Sequence, residues 1–121
     1  MLNTMKKGIK LEEVRRAVGM TAKAHINSQL SFIIGMPGET HSTIQETNRF
    51  IDSFNGRLSG VSAGYCYACP FPLTEFDRIV TEKGHKKEMD YADYAYGIVM
   101  TRTDALDYNA LERYRKMMYG N

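Results

Sequence analysis

An α/β fold with parallel strands and covering helices is what this sequence predicts, and three observations carry the prediction. The run Leu30–Ile34 is mostly apolar and breaks at Gly35-Met36-Pro37-Gly38, as a buried strand does when it turns into a helix. Stripes of helical period flank it, Leu11, Val14, Val18 and Ala22 before and Ile44, Phe50, Ile51 and Phe54 after. Residues 60–68 then alternate with period two, which is the mark of a second strand. Strand, helix and strand in succession make a parallel pair with a right-handed crossover.

Composition narrows the class. With 121 residues there is room for one domain and one modest core, and 16 Lys and Arg against 14 Asp and Glu leave a net charge of +2. So small an excess argues against a nucleic-acid surface, and the short Lys86-Lys87 pair beside His85 reads as a solvated loop. No apolar run approaches the ~20 residues that span a bilayer, and the first residues lack a signal-peptide core, so the expected location is cytoplasmic.

Residues 1–10 are polar and form a lead-in, with Gly8 ending any initial turn. The first helix follows, its charged face supplied by Glu12, Glu13, Arg15 and Arg16; Gly19 weakens it, and Lys10 is a poor cap. His25 stands at the helix-to-strand junction, where a lone histidine is a surface or dipole partner rather than a ligand. After the glycine turn, Thr40 and Ser42 compete to cap the second helix, Ser42 with Gln45 fitting a capping box, and the helix ends near Asn55-Gly56.

In the second strand Val61, Ala63, Tyr65 and Tyr67 fall on one face, and Ser62, Gly64, Cys66 and Ala68 on the other. The small-residue face leaves room for a packed helix or a flat ligand such as adenine. Cys66-Tyr67-Ala68-Cys69 invites a metal or redox reading, but residues three apart on a strand point to opposite faces, and two thiols are half of a four-thiolate site. They read as two reduced cysteines.

Pro70-Phe71-Pro72 is expected to be extended. Thr74 then caps a short helix with Asp77 three residues on, Phe76, Ile79 and Val80 on its apolar side and Gly84 as its stop. The remainder is tyrosine-rich, at 91, 94, 96, 108, 114 and 119, with Ile98–Met100 a short strand or helical turn. Asp107 caps a last helix in which Leu111, Tyr114 and Met118 share a face, and Arg113, Arg115 and Lys116 lie towards its C-terminal end.

The stretch Phe32-Ile33-Ile34-Gly35-Met36-Pro37-Gly38-Glu39-Thr40 resembles the F-I-x-G-x-P-G-E-T signature of radical S-adenosylmethionine enzymes, particularly the cobalamin-binding group and the methylthiotransferases. Met5-Lys6-Lys7-Gly8-Ile9 is similar to that family's M-x-K-G-[IT], and Pro70-Phe71-Pro72-Leu73-Thr74-Glu75-Phe76 to its P-x-P-G-T-x-[LF]. Leu73 departs from the pattern where the family has glycine, which puts the turn's shape in doubt, because leucine does not take positive φ cheaply.

The resemblance implies a fragment of a TIM-like (β/α) partial barrel, with residues 1–84 its C-terminal portion and 85–121 a helical extension packed on it. It implies a parent iron–sulfur enzyme that cleaves S-adenosylmethionine reductively and then carries out a radical transformation or methyl transfer on a small-molecule substrate. The magnesium-protoporphyrin monomethyl ester cyclase type is one such oxidoreductase, and cobalamin would enter through a domain outside this chain. By the same likeness Gly35, Met36, Pro37, Gly38, Glu39, Tyr67 and Ala68 bind the cofactor, Glu39 ordering the turn rather than acting as acid or base, and no residue here is catalytic or a metal ligand.

The family holds its [4Fe–4S] cluster with C-x-x-x-C-x-x-C, whereas this chain has two cysteines in all, so the chain is expected to be inactive alone. A two- or three-stranded sheet with helices on one side exposes its other face and edges, which leads us to expect a homodimer or contact with the missing half of the barrel. From another class stands a non-catalytic binding module that uses the glycine corner and the tyrosine-rich tail.

Overall fold

The computed structural model of the chain describes residues 7–54, 58–90, 92, 94 and 97–119, and its architecture is α/β. In chain order the elements are α1 (Leu11–Lys23), β1 (Ser28–Ile34), α2 (His41–Asp52), β2 (Val61–Tyr67), α3 (Glu75–Glu82) and α4 (Tyr108–Tyr119). The strands β1 and β2 pair in parallel, in register from Ser28 opposite Val61 to Ile34 opposite Tyr67.

Alternation along the strands divides the sheet into a covered and an open face. Leu30, Phe32 and Ile34 of β1 and Val61, Ala63, Tyr65 and Tyr67 of β2 turn into the core. Val14 and Val18 of α1, Ile44, Phe50 and Ile51 of α2, and Ala110 and Leu111 of α4 meet them there. On the opposite face Gln29, Ser31, Ile33 and Ser62 are exposed, and Gly64 and Cys66 are half-buried. The apolar stripe expected for α2 is buried throughout, with Phe54 just beyond the helix end, and each such side chain contributes about 1.5–3 kcal/mol on leaving water.

Helix α1 starts where Lys10 precedes it, although lysine has no oxygen to offer as a cap. Instead the Glu13 carboxylate reaches back to accept the Lys10 amide N–H at 2.8 Å, half of a capping box. Leu11, expected in the apolar stripe, is exposed in the first turn of the helix. At the other end His25 takes φ +57°, and the amides of His25 and Ile26 bond to the carbonyls of Ala22 and Thr21. These are the two bonds of a Schellman motif, with histidine in the left-handed position. Gly84, at φ +66°, ends α3 in the same way, with the amides of Gly84 and His85 on the carbonyls of Thr81 and Val80.

Three expectations are corrected. The cap of α2 is Thr40, whose box is completed by Thr43 and not by Ser42 with Gln45. The helix stops at Asp52, and Asn55-Gly56 lie outside the described residues. Pro70-Phe71-Pro72 is not simply extended, since the Phe71 amide folds back onto the Cys69 carbonyl and the Thr74 amide onto the Phe71 carbonyl. Proline's fixed φ suits a turn as well as a strand.

The His85–Lys87 segment is likewise no solvated loop. Lys86 forms an antiparallel bridge with Thr101, His85 is buried, and Lys86 Nζ lies 2.7 Å from Asp77 Oδ1. Ile98–Met100, left open between strand and helical turn, is neither, although Val99 and Met100 are buried and lead directly into that bridge. Asp107 caps α4 as expected, its Oδ1 accepting the Ala110 amide at 2.7 Å. Leu111 is buried and Tyr114 half-buried on the inner side of α4, while the Met118 side chain lies outside the described residues.

Candidate functional site

Both strands end at the same edge of the sheet, and beyond each lies a turn with proline second and a positive-φ residue third. Thr40 follows the first turn and caps α2, and Thr74 is the fourth residue of the second and caps α3. After β1, Met36-Pro37-Gly38-Glu39 closes with the Glu39 amide on the Met36 carbonyl at 3.0 Å, and Gly38 has φ +90°. After β2, Phe71-Pro72-Leu73-Thr74 closes at 3.3 Å, with Leu73 at φ +69°. Positive φ in the third position is the requirement of a type II turn. Leucine therefore adopts the conformation for which glycine is the natural choice, and the doubt raised by this departure is resolved in favour of the turn.

The residues singled out in the sequence occupy that edge in unequal exposure. Gly38 is exposed, Met36 and Pro37 are half-buried, and Gly35, Glu39, Tyr67 and Ala68 are buried. The two strand ends are joined across the edge by the Ala68 amide, which donates to the Ile34 carbonyl at 2.9 Å. Gly35 has φ +90°, and a Cβ there would stand 3.7 Å from a Leu111 methyl, so α4 closes over the glycine from the core side.

Tyr67 and Glu39 tie the corner to the rest of the chain. The Tyr67 hydroxyl donates to the Leu111 carbonyl at 2.9 Å, and burial pushes its pKa up to about 12. Glu39 as a residue is 1 % exposed. Its Oε1 accepts the Gly35 amide at 3.3 Å, its Oε2 meets the Thr43 hydroxyl, and its backbone carbonyl accepts the Thr103 hydroxyl at 2.8 Å. Burial raises the Glu39 pKa against the opposing pull of the Thr43 and Gly35 hydrogen bonds.

Sequence reasoning missed Thr43, Thr103 and Leu111. Thr43 lies three residues after Thr40, a spacing that signals a box, though glutamate or glutamine is the usual partner. Thr103 and Leu111 carry no local signal, because they reach the corner from more than sixty residues away in sequence.

Cys66 and several of the tyrosines are hydrogen-bonded within the chain. Cys66 donates to the Phe32 carbonyl at 3.6 Å, burial pushes the Cys69 thiol up, and both cysteines are free. Among the described residues no three His, Cys, Asp or Glu side chains gather to hold a metal, and the residues present do not fit an iron–sulfur cluster. Tyr108 donates to the His85 carbonyl, Tyr65 to the Tyr114 carbonyl, and the Tyr114 hydroxyl lies 2.6 Å from His41 Nδ1. Tyr91 and Tyr96 lie outside the described residues. An open depression of about 600 Å³ lies away from the corner, between the end of α3 and Lys86–Asp90, and contains none of the expected site residues.

Among the described residues no helix is long and apolar enough to cross a membrane. No family model matches the chain. It is 26% identical over 107 residues to the anaerobic magnesium-protoporphyrin IX monomethyl ester cyclase of Rubrivivax gelatinosus, an alignment covering 88% of this chain and 18% of that protein. The likeness is distant, and the chain spans less than a fifth of the length of the protein it matches.

Proposed function

We propose that this chain provides two adjacent strand-and-helix units of a radical S-adenosylmethionine type barrel, with the Gly35–Glu39 corner beside the nucleoside of the cofactor. One observation carries the reading: parallel strands end together in two matching turns with threonine caps, in a chain distantly similar to an anaerobic cyclase. Ligands of parallel α/β sheets lie at the carboxyl ends of the strands, where amides and helix starts are available. Met36, Pro37 and Gly38 offer the accessible backbone, while Gly35, Tyr67 and Ala68 set its position from beneath.

In an enzyme of that type an iron–sulfur cluster and S-adenosylmethionine, held largely outside this chain, would supply the radical chemistry. The residues here hold no cluster, so this chain's part is to bind and orient, and cobalamin and the oxidised or methylated substrate belong to other parts of such an enzyme. The open sheet face and the outer edges of the strands, which pair with no third strand among the described residues, are the place for the remaining strands of the barrel or for a second copy of the chain. Two free cysteines suit a reducing cytoplasmic setting.

The test has two parts. Sequencing the gene's flanking DNA should find C-x-x-x-C-x-x-C in frame on the 5′ side; a stop codon directly before Met1 would sink the enzyme reading. Adding S-adenosylhomocysteine to isotopically labelled protein should shift the amide resonances of Gly35, Gly38 and Ala68 first. The other reading is a non-catalytic binding module that uses the glycine corner and the tyrosine-rich tail, of which Tyr108 and Tyr114 are hydrogen-bonded within the chain.

A further inference from the structure

We infer that Tyr114 and His41 form a redox-active pair, in which Tyr114 gives an electron to an organic radical at the glycine corner while its phenolic proton passes to His41 Nδ1. The juxtaposition that carries this is the 2.6 Å between the Tyr114 hydroxyl and that ring nitrogen. A neutral imidazole with its hydrogen on Nε2 accepts the phenol's hydrogen at Nδ1 and can keep it as a proton. Tyr65, Tyr67 and Tyr108 instead donate to the backbone carbonyls of Tyr114, Leu111 and His85. An amide oxygen is far too weak a base to hold a proton in water.

Burial decides where the charge goes. The Tyr114 ring is half-buried and packs against the core cluster that contains Tyr65, Tyr67 and Leu111. Removing an electron alone would leave a cation against apolar side chains, which is costly. His41 is exposed, so a proton taken by its ring puts the charge in water instead. Electron and proton therefore leave together, and the phenol becomes a neutral radical. In the balanced step the Tyr114 O–H bond breaks and a His41 Nδ1–H bond forms. The electron reduces the organic radical R•, which takes a proton from solvent and ends as R–H, and His41 returns its own proton to solvent.

Both residues stand beside the corner. His41 follows Glu39 by two residues, a reach of roughly 7 Å along the chain. Tyr114 lies one turn beyond Leu111, about 4.5 Å further along α4, and a Leu111 methyl is 3.7 Å from the place of a Gly35 Cβ. With no tryptophan in the chain, tyrosine is its most readily oxidised aromatic side chain. Only the source of such a radical rests on the proposed cofactor role of the corner; the donor chemistry of the pair does not need S-adenosylmethionine.

Flash photolysis of a ruthenium polypyridyl complex with an electron scavenger generates a one-electron oxidant beside the full chain. Transient absorption then follows formation of the tyrosyl radical, and electron paramagnetic resonance after rapid freezing identifies it. Wild type should give a tyrosyl signal that forms more slowly in heavy water, because a proton moves with the electron. Tyr114→Phe, which keeps the ring and loses the hydroxyl, should lose most of that signal. His41→Gln offers an oxygen that accepts the bond but cannot hold the proton, so the radical should form about a hundredfold more slowly. If Tyr114→Phe does not fold, the rate in H41Q, altered at an exposed position, decides alone. No tyrosyl signal in wild type, a signal of wild-type size in Y114F, or an unchanged rate in H41Q overturns the inference and leaves the contact as a tie between α2 and α4. Such a failure leaves the cofactor role of the corner standing, whereas failure of that role is read from the flanking DNA and the amide resonances.

Discussion

At the scale of the residue, Leu73 and Tyr67 show how a single side chain exposes its backbone or its burial to measurement. Leu73 is fully exposed and holds φ +69°, so it bears the cost of a left-handed conformation without packing against anything that would repay it. Leu73→Gly should raise the thermal midpoint by roughly 2–5 °C, the relief of strain outweighing the freedom that glycine adds to the unfolded chain. An unchanged or lower midpoint in a melting curve would show that the turn is not strained. Tyr67 has its native midpoint near 12, above the ordinary value of about 10, so it contributes full stability below pH 10 and loses it as pH climbs through that interval. Tyr67→Phe should cost about 1 kcal/mol at pH 8 by removing the bond to Leu111, and its urea midpoint should fall less than that of wild type between pH 9 and pH 11.

Among the elements, the recurring device is a strand that ends in a proline turn and hands over to a threonine-capped helix. Thr40 Oγ1 accepts the Thr43 amide at 3.2 Å, and Thr74 Oγ1 accepts the Asp77 amide at 3.1 Å. Alanine at either position should cost about 1 kcal/mol in chemical denaturation. The consequences should differ, because α3 has 8 residues and α2 has 12. Loss of the cap leaves the shorter helix more frayed, so hydrogen exchange after Thr74→Ala should speed up across the whole of α3, whereas Thr40→Ala should affect chiefly the first turn of α2. Asp107→Ala should act at a distance: by loosening the start of α4 it should increase exchange at Gly35, which Leu111 covers.

For the molecule as a whole, the decisive feature is a two-stranded sheet that, among the described residues, packs α1, α2 and α4 against one face. Ile33 is 37 % exposed on the open face near the C-terminal end of β1, opposite Cys66 in the register. If that face meets a second copy, light scattering at micromolar concentration should give a dimer or larger species. Ile33→Lys should then return it to a monomer with little change in the stability of each subunit, since the side chain contributes nothing to the helical core. A wild-type monomer under these conditions would count against self-association and leave the remaining strands of a barrel as the expected cover.

What the sequence determined by itself was much of what near neighbours govern, although the Thr40–Thr43 box, the His25 cap and the turns between Cys69 and Thr74 are also local and were not foreseen. The two strands, the stripe of Ile44, Phe50, Ile51 and Phe54, the positive-φ glycines at 35 and 38, the Thr74 and Asp107 caps and the stop at Gly84 all rest on spacings of two to four residues. Periodicity and turn chemistry act over that range, so they can be read without the fold. Only the tertiary structure decided that His85–Lys87 bridges to Thr101, that Leu111 closes over Gly35, and that Thr103 binds the carbonyl of Glu39. These contacts join residues far apart in the chain, and no local pattern encodes which distant hydroxyl or methyl will fill a given gap. The turn of the corner was legible in a few consecutive residues; that Thr103 and Leu111 would meet Glu39 and Gly35 from more than sixty residues later was not.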